Sequence, residues 1–208
     1  MLISKKNKFI FVHIFKNAGT SINAALRPFA MSPWQWQIQK KLKEAKVPSP
    51  FYDPHPFDPH SKASEIIDLI GQETFDSYFS FAIVRNPWDW QVSLYTYMLK
   101  YETHYQHELV KKLGSFEEYI KWRCAEDVRF QKDFIYSESN ELLVDYVGRF
   151  ENLDEDFQQI CSRIGVTASL PKLNKSNAKP YQDFYNDKTR ELVRDTFSAD
   201  IELLNYEF

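Results

Sequence analysis

The stretch Phe9-Ile-Phe-Val-His-Ile-Phe-Lys-Asn-Ala-Gly-Thr-Ser21 decides the fold of this chain, and Phe81-Ala-Ile-Val-Arg-Asn-Pro-Trp-Asp-Trp-Gln-Val-Ser93 follows the same plan. Each runs from apolar residues to a cation, then to small or capping residues, then into an amphipathic helix. An unbroken apolar run such as residues 9–14 is the pattern of a strand covered on both faces, as in a parallel sheet. A helix that begins directly after such a strand aims backbone N–H groups and the positive end of its dipole beyond the strand's carboxyl end. With a fixed cation beside it, that place suits an anion. Two such places in one small protein suit a ligand with two separate anionic groups, as in a nucleotide with phosphate-type groups at two ends.

Outward from these segments, strand and helix signals alternate. Helices are expected over about Thr20–Phe29, Pro33–Ala45, from a cap at Ser61 to Gly71, and from Trp88 to Tyr101 with Trp88, Val92, Tyr95 and Leu99 as the core stripe. Further helices follow the capping-box spacings Ser115/Glu118 and Asn152/Glu155, and a last one spans about Asp187–Phe197. Residues 78–84 read as the second strand and Leu142–Val147 as a third. Residues 47–60 carry Pro48, Pro50, Pro54, Pro56 and Pro59 among aromatics and His55 and His60, a density that forbids helix and central strand. The alternation implies an α/β protein, with a central, mostly parallel sheet flanked by helices.

The 208 residues suit a single domain over 1–208, with residues 30–60 as a helix and loop insertion. A hydrophobic share of 43% and a charged share of 26% are those of an ordinary globular protein, and the 16% aromatic share supplies a sizeable core. A net charge of −3, without a basic tract, argues against nucleic-acid binding. Cys124 and Cys161 are isolated and read as reduced thiols. No signal peptide and no stretch of membrane-spanning length is visible, so a cytoplasmic protein without a transmembrane segment is expected.

At the first anion site, Gly19 is one of only five glycines; it permits a sharp turn and close approach of a ligand. Thr20 and Ser21 offer hydroxyls and N–H groups, and Lys16 is a mobile point charge. The lysine precedes the glycine, and the chain has no Gly-x-x-x-x-Gly-Lys-Ser/Thr string of the nucleoside-triphosphatase kind. Asp145, after an apolar run, reads as structural. At the second site Arg85 ends a strand, Asn86 caps a helix, Pro87 takes its first position and Ser93 lies in its second turn. An arginine fork plus a hydroxyl can hold a phosphate there; the competing use of Arg85 is an ion pair with Asp89.

These segments resemble those of the carbohydrate sulfotransferases that use 3′-phosphoadenosine 5′-phosphosulfate (PAPS), the heparan, dermatan and chondroitin sulfotransferases and their bacterial relatives. His13–Ser21 resembles their 5′-phosphosulfate loop. Val84–Tyr95 resembles their 3′-phosphate segment, Tyr146–Leu153 their third block, and Asn174-Lys-Ser176 through Lys179, with Tyr185 and Asp200–Phe208, their C-terminal loop and ending. Phe15 stands where proline is usual and Trp90 where arginine is frequent. The resemblance implies a P-loop-like three-layer fold and transfer of a sulfuryl group to a hydroxyl, of a carbohydrate or glycoconjugate, leaving adenosine 3′,5′-bisphosphate (PAP), with no metal. It implies cofactor contacts from Lys16, Asn17, Ala18, Gly19, Thr20, Ser21, Arg85, Ser93, Ser176 and Lys179, with residues 30–60 on the substrate side. Lys16 would stabilise charge on the leaving oxygen. A histidine suits the general base; His60 is the expected one, His55 the alternative. His13 sits on the buried strand, His104 and His107 with Glu108 have metal-compatible helical spacing but read as a solvated face, and Glu65 is a carboxylate candidate. A P-loop-type nucleotide kinase or hydrolase, or a non-catalytic nucleotide or carbohydrate binder, are the other classes open to the sequence. The acceptor and the oligomeric state are not encoded legibly.

Overall fold

A computed structural model describes residues 1–30, 59–171 and 179–208, together with Ile38 and Lys41. Its elements in chain order are β1 (Leu2–Ser4), β2 (Phe9–Val12), α1 (Gly19–Ala30), α2 (Ala63–Ile70), α3 (Gln72–Asp76), β3 (Phe79–Val84), α4 (Pro87–Lys100), α5 (His107–Leu113), α6 (Phe116–Glu126), β4 (Tyr146–Arg149), α7 (Leu153–Arg163), α8 (Asp187–Thr196) and α9 (Ser198–Leu204). The helix expected over 33–45, most of the proline-rich loop with His55, and Ser176 lie outside the described residues.

The α/β class holds: a mostly parallel sheet of order β1-β2-β3-β4, flanked by helices, carries β1 antiparallel at one edge. β2 and β3 run parallel, with Phe9 opposite Phe79 and Val12 opposite Ala82. Every residue of β2 is buried, as are the last five of β3, on both faces of the pleat. That is why both segments read as continuous apolar runs without alternation.

The chain divides into two compact units, residues 1–83 with 134–173, and residues 84–133 with 174–208. In the first, Phe9, Phe11, Phe81 and Ile83 of the sheet pack with Ile22 and Leu26 of α1 and with Phe157, Ile160 and Cys161 of α7. The Phe11 and Phe81 rings stack at 5.2 Å. Ser4 Oγ donates to the Phe29 carbonyl at 2.8 Å and so ties β1 to the end of α1. Asp145 is structural: its Oδ2 accepts from Ser80 N–H and Ser80 Oγ, each at 2.7 Å. In the second unit Trp88, Trp90, Val92, Leu94 and Met98 of α4 are buried, as are Tyr119, Ile120, Val193 and Phe197. Trp90 is fully buried and serves packing.

Several boundaries depart from expectation for physical reasons. The strand expected over Leu142–Val147 is β4, Tyr146–Arg149, because Leu142 is drawn into a bridge with Tyr136 and Leu143 N–H bonds the Ile135 carbonyl. The helix after residue 61 starts at Ala63; Glu65 Oε2 accepts the Lys62 N–H at 2.9 Å and does the capping expected of Ser61. Asn152 makes no side-chain cap, since Asp156 instead organises the segment before α7, accepting from Tyr146 OH and Arg149 N–H, both at 2.6 Å. The core of α4 runs through Trp88, Trp90, Gln91, Val92, Leu94 and Met98, while Tyr95 and Leu99 are only half-buried. This helix is enclosed on more than one side, so no single stripe marks its buried face. The expected cap at Ser115 is present, its hydroxyl accepting from Glu118 N–H at 3.2 Å.

Candidate functional site

The turn from β2 to α1 is built by backbone conformation before any side chain acts. Lys16 (φ 66°) and Ala18 (φ 57°) are both left-handed, on either side of Asn17. Each costs on the order of 1 kcal/mol for a residue with a Cβ. Such a turn curls successive N–H groups into a concavity that suits an anion. Asn17 is buried, and its Nδ2 donates to the Ile83 carbonyl at 3.0 Å, which ties the turn to the end of β3. Ser21 and Ile22 N–H both bond the Ala18 carbonyl, at 2.9 and 3.1 Å. The N–H groups of Gly19 and Thr20, first in the helix, have no acceptor within it. Among the described helices α1 alone has no acidic residue in its first turn. The positive end of its dipole therefore faces no carboxylate of its own.

Gly19 is glycine for a reason the sequence concealed. Its φ is not left-handed. A Cβ at this position would lie 1.7 Å from His13 Nε2 and 1.9 Å from His13 Cδ2. The imidazole of His13 thus fills the space against the helix start. His13 also stacks on Phe11, with ring centres 5.6 Å apart, and lies 4.4 Å from the His60 ring. Phe15 meets the edge of His60 at 5.8 Å and of Phe134 at 5.7 Å, so aromatic contacts support the turn where a proline is usual. His60 Nδ1 lies 3.0 Å from the His13 carbonyl oxygen. A carbonyl only accepts, so Nδ1 carries the proton and, in the neutral ring, Nε2 keeps its lone pair. The amino group of Met1 donates to the Pro59 carbonyl, which anchors the residue before His60.

Burial, then the N-terminal ammonium, then His60 hold His13 far below its ordinary value of 6.5, at about 3. The folded state therefore binds fewer protons here than the unfolded chain. The stability contributed is fully present above pH 6.5 and is lost as pH falls from there towards 3. Between pH 7 and pH 5 this group removes about 2 kcal/mol of folding free energy. In an NMR titration the His13 ring protons are expected to hold constant shifts from pH 7.5 to pH 5; a midpoint near 6.5 would refute the buried neutral ring.

The Arg85 segment belongs to the second unit. Asn86 caps α4, its Oδ1 accepting from Trp88 N–H at 3.0 Å, while its Nδ2 donates to the Glu207 carbonyl at 2.7 Å. Arg85 Nε donates to Asp89 Oδ2 at 2.7 Å, which orients the guanidinium along the first turn. The backbone of Arg85 is bonded twice by the side chain of Gln131: Arg85 N–H to Oε1 at 2.9 Å, and Nε2 to the Arg85 carbonyl at 2.8 Å. Gln131 N–H and Lys132 N–H in turn donate to the two carboxylate oxygens of Asp200, each at 2.8 Å. Burial pushes the Asp200 carboxyl up to about 6, against the pull of these two bonds. Ser93 is half-buried, two turns into α4. Lys179 is exposed.

The structure brings His60 to the Lys16 turn, within the first unit. It places His107 differently from expectation. His107 is buried, with Nδ1 2.9 Å from the Met98 carbonyl, because α5 packs its first residue inward. His104 Nδ1 accepts from Gln106 N–H at 3.1 Å. Among the described residues no cluster of three or more His, Cys, Asp or Glu is arranged to hold a metal. Among them too, no helix is long and apolar enough to cross a membrane. Sequence reasoning missed Gln131 and the place of Asp200. Gln131 lies in a segment without periodicity and carried no signal; Asp200, the first residue of the ending Asp200–Phe208, carried a weak one.

The Sulfotransferase family model matches residues 1–207. An uncharacterized protein of Archaeoglobus fulgidus is 29% identical over 106 residues, covering 50% of this chain and 82% of that relative.

Proposed function

Since the chain belongs to the sulfotransferase family and its reaction is therefore sulfuryl transfer, we propose that the donor is PAPS and the acceptor a hydroxyl of a carbohydrate or glycoconjugate. Residues 1–208 serve as one catalytic domain, with the aromatic-rich residues 30–60 on the acceptor side. The observation that carries this is the gathering of three groups at one strand end. They are a helix start without an acid, a lysine in a left-handed turn, and a histidine whose Nδ1 is committed to a carbonyl.

In this proposal the N–H groups of Gly19 and Thr20, the Ser21 hydroxyl, Lys16 and the turn through Asn17 and Ala18 hold the 5′-phosphosulfate. Arg85 and Ser93 hold the 3′-phosphate, with Ser176 and Lys179 as further contacts. The nucleotide supplies the sulfuryl group. His60 Nε2 takes the proton of the acceptor hydroxyl as its oxygen bonds to sulfur. The electron pair of the breaking S–O bond stays on the 5′-phosphate oxygen, where Lys16 and the helix N–H groups meet the growing charge. A cytoplasmic location agrees with the unpaired Cys124 and Cys161.

A thermal-shift titration distinguishes this from a kinase, a hydrolase or a mere binder. PAP at about 100 times its Kd adds about 2.7 kcal/mol. For a chain of this size that raises Tm by roughly 5–10 °C. ATP with magnesium is expected to give a smaller shift and no turnover. A larger response to ATP, with hydrolysis, would overturn the assignment.

A further inference from the structure

We infer that Gln131 and Asp200 are positioning residues for Arg85, a buried clamp that fixes the backbone from which the 3′-phosphate arginine projects. The inference rests on the role proposed above for Arg85.

Arg85 is the first residue beyond β3. Gln131 takes the place of a neighbouring strand. Its side-chain amide pairs with both the N–H and the carbonyl of Arg85, at 2.9 and 2.8 Å. Gln131 is fully buried and lies outside any regular helix or strand, so something must hold it in turn. Asp200, also fully buried, does so from α9: its two oxygens accept consecutive N–H groups, Gln131 and Lys132, at 2.8 Å each. The guanidinium end is steadied separately by Asp89, at 2.7 Å from Nε. Arg85 is thus fixed at its peptide unit and at its head group.

The chemistry argues against simple filling of a core. An amide and a carboxylate are costly to bury, and apolar side chains of similar volume pack as well or better. Here the side-chain amide of Gln131 bonds the backbone of Arg85, and the carboxylate of Asp200 bonds the backbone of Gln131 and Lys132. A long arginine side chain magnifies small backbone rotations at its tip. A clamp at the peptide therefore improves the aim of the guanidinium without touching a ligand.

Gln131→Met, close in volume but without the two hydrogen bonds, tests this in the full chain. Calorimetry measures Kd for PAP and for adenosine 5′-monophosphate, which lacks the 3′-phosphate. The wild type is expected to prefer PAP. The variant is expected to lose at least about tenfold in PAP affinity while its affinity for the monophosphate changes less than about twofold. In turnover, KM for the nucleotide rises and kcat at saturation holds. A variant with wild-type circular dichroism and an unchanged PAP preference overturns the clamp. A wild type without PAP preference overturns the role of Arg85 itself, and the clamp with it, and that failure is visible in the unsubstituted protein. Should Gln131→Met not fold, Gln131→Glu keeps the acceptor for Arg85 N–H and loses the donor to its carbonyl. A loss of PAP preference in that variant supports the clamp, and a folded Gln131→Glu with full preference refutes it.

Discussion

Lys16→Ala lowers kcat for sulfuryl transfer by about 10²–10³-fold, with a much smaller change in affinity for PAP. The reason lies in where charge grows. In the ground state the bridging oxygen carries part of the charge it bears once the S–O bond has broken. A cation aimed there is more valuable in the transition state than in the bound complex, so its removal falls on kcat and not on binding. Losing one such donor costs about 3 kcal/mol in comparable sites. The left-handed φ of 66° at Lys16 supports this placement, since the turn accepts backbone strain at the residue that carries the charge. Single-turnover measurements with a saturating acceptor, set beside PAP titrations of the same variant, separate the two effects. Equal losses in transfer and in PAP affinity would make Lys16 a binding residue only.

Gly19→Ala is expected to be strongly damaging, because of the five glycines Gly19 leaves the least room for a Cβ. The new methyl meets His13 Nε2 at 1.7 Å and Cε1 at 2.5 Å. The imidazole cannot swing aside cheaply, because Phe11 stacks on it and the His60 ring lies 4.4 Å away. Overpacking a closed site costs about 3 kcal/mol, which lowers Tm by roughly 6–12 °C in a protein of this size. Transfer falls too, since the helix start and His60 shift together. The contact is specific, so it is correctable. Adding His13→Ala to Gly19→Ala is expected to cost about 2 kcal/mol less than the sum of the two single losses, the coupling energy of the double-mutant cycle. Strictly additive losses would place the fault elsewhere.

What the sequence disclosed, and what it hid, follows from which forces act locally. β2, β3 and the starts of α1 and α4 were legible because burial on both faces writes a continuous apolar run, and caps write themselves in short polar strings. The Arg85–Asp89 pair was legible for the same reason, at a spacing of one helical turn. β1 was not, as three residues, Leu2–Ser4, are too few to show a period. β4 was misplaced because an apolar run serves equally for a strand and for the bridge that Leu142 makes to Tyr136. Gly19 was recognised as special for a sharp turn and for close approach of a ligand; its φ is not left-handed, and the constraint the sequence did not show is the His13 ring packed against it. Gln131 bonds Arg85 across 46 residues and Asp200 bonds Gln131 across 69, separations that no periodicity records.

The proposal stands on one nucleotide having both its anionic ends recognised by this chain. The direct test is calorimetric titration of PAP into the wild type and into Arg85→Ala. Expected are one molecule bound per chain and an affinity weakened about 10- to 100-fold by the substitution, the range set by losing charge-assisted hydrogen bonds to a phosphate, with adenosine 5′-monophosphate binding unaltered. No measurable PAP binding by the wild type, or equal PAP affinity with and without Arg85, would contradict it.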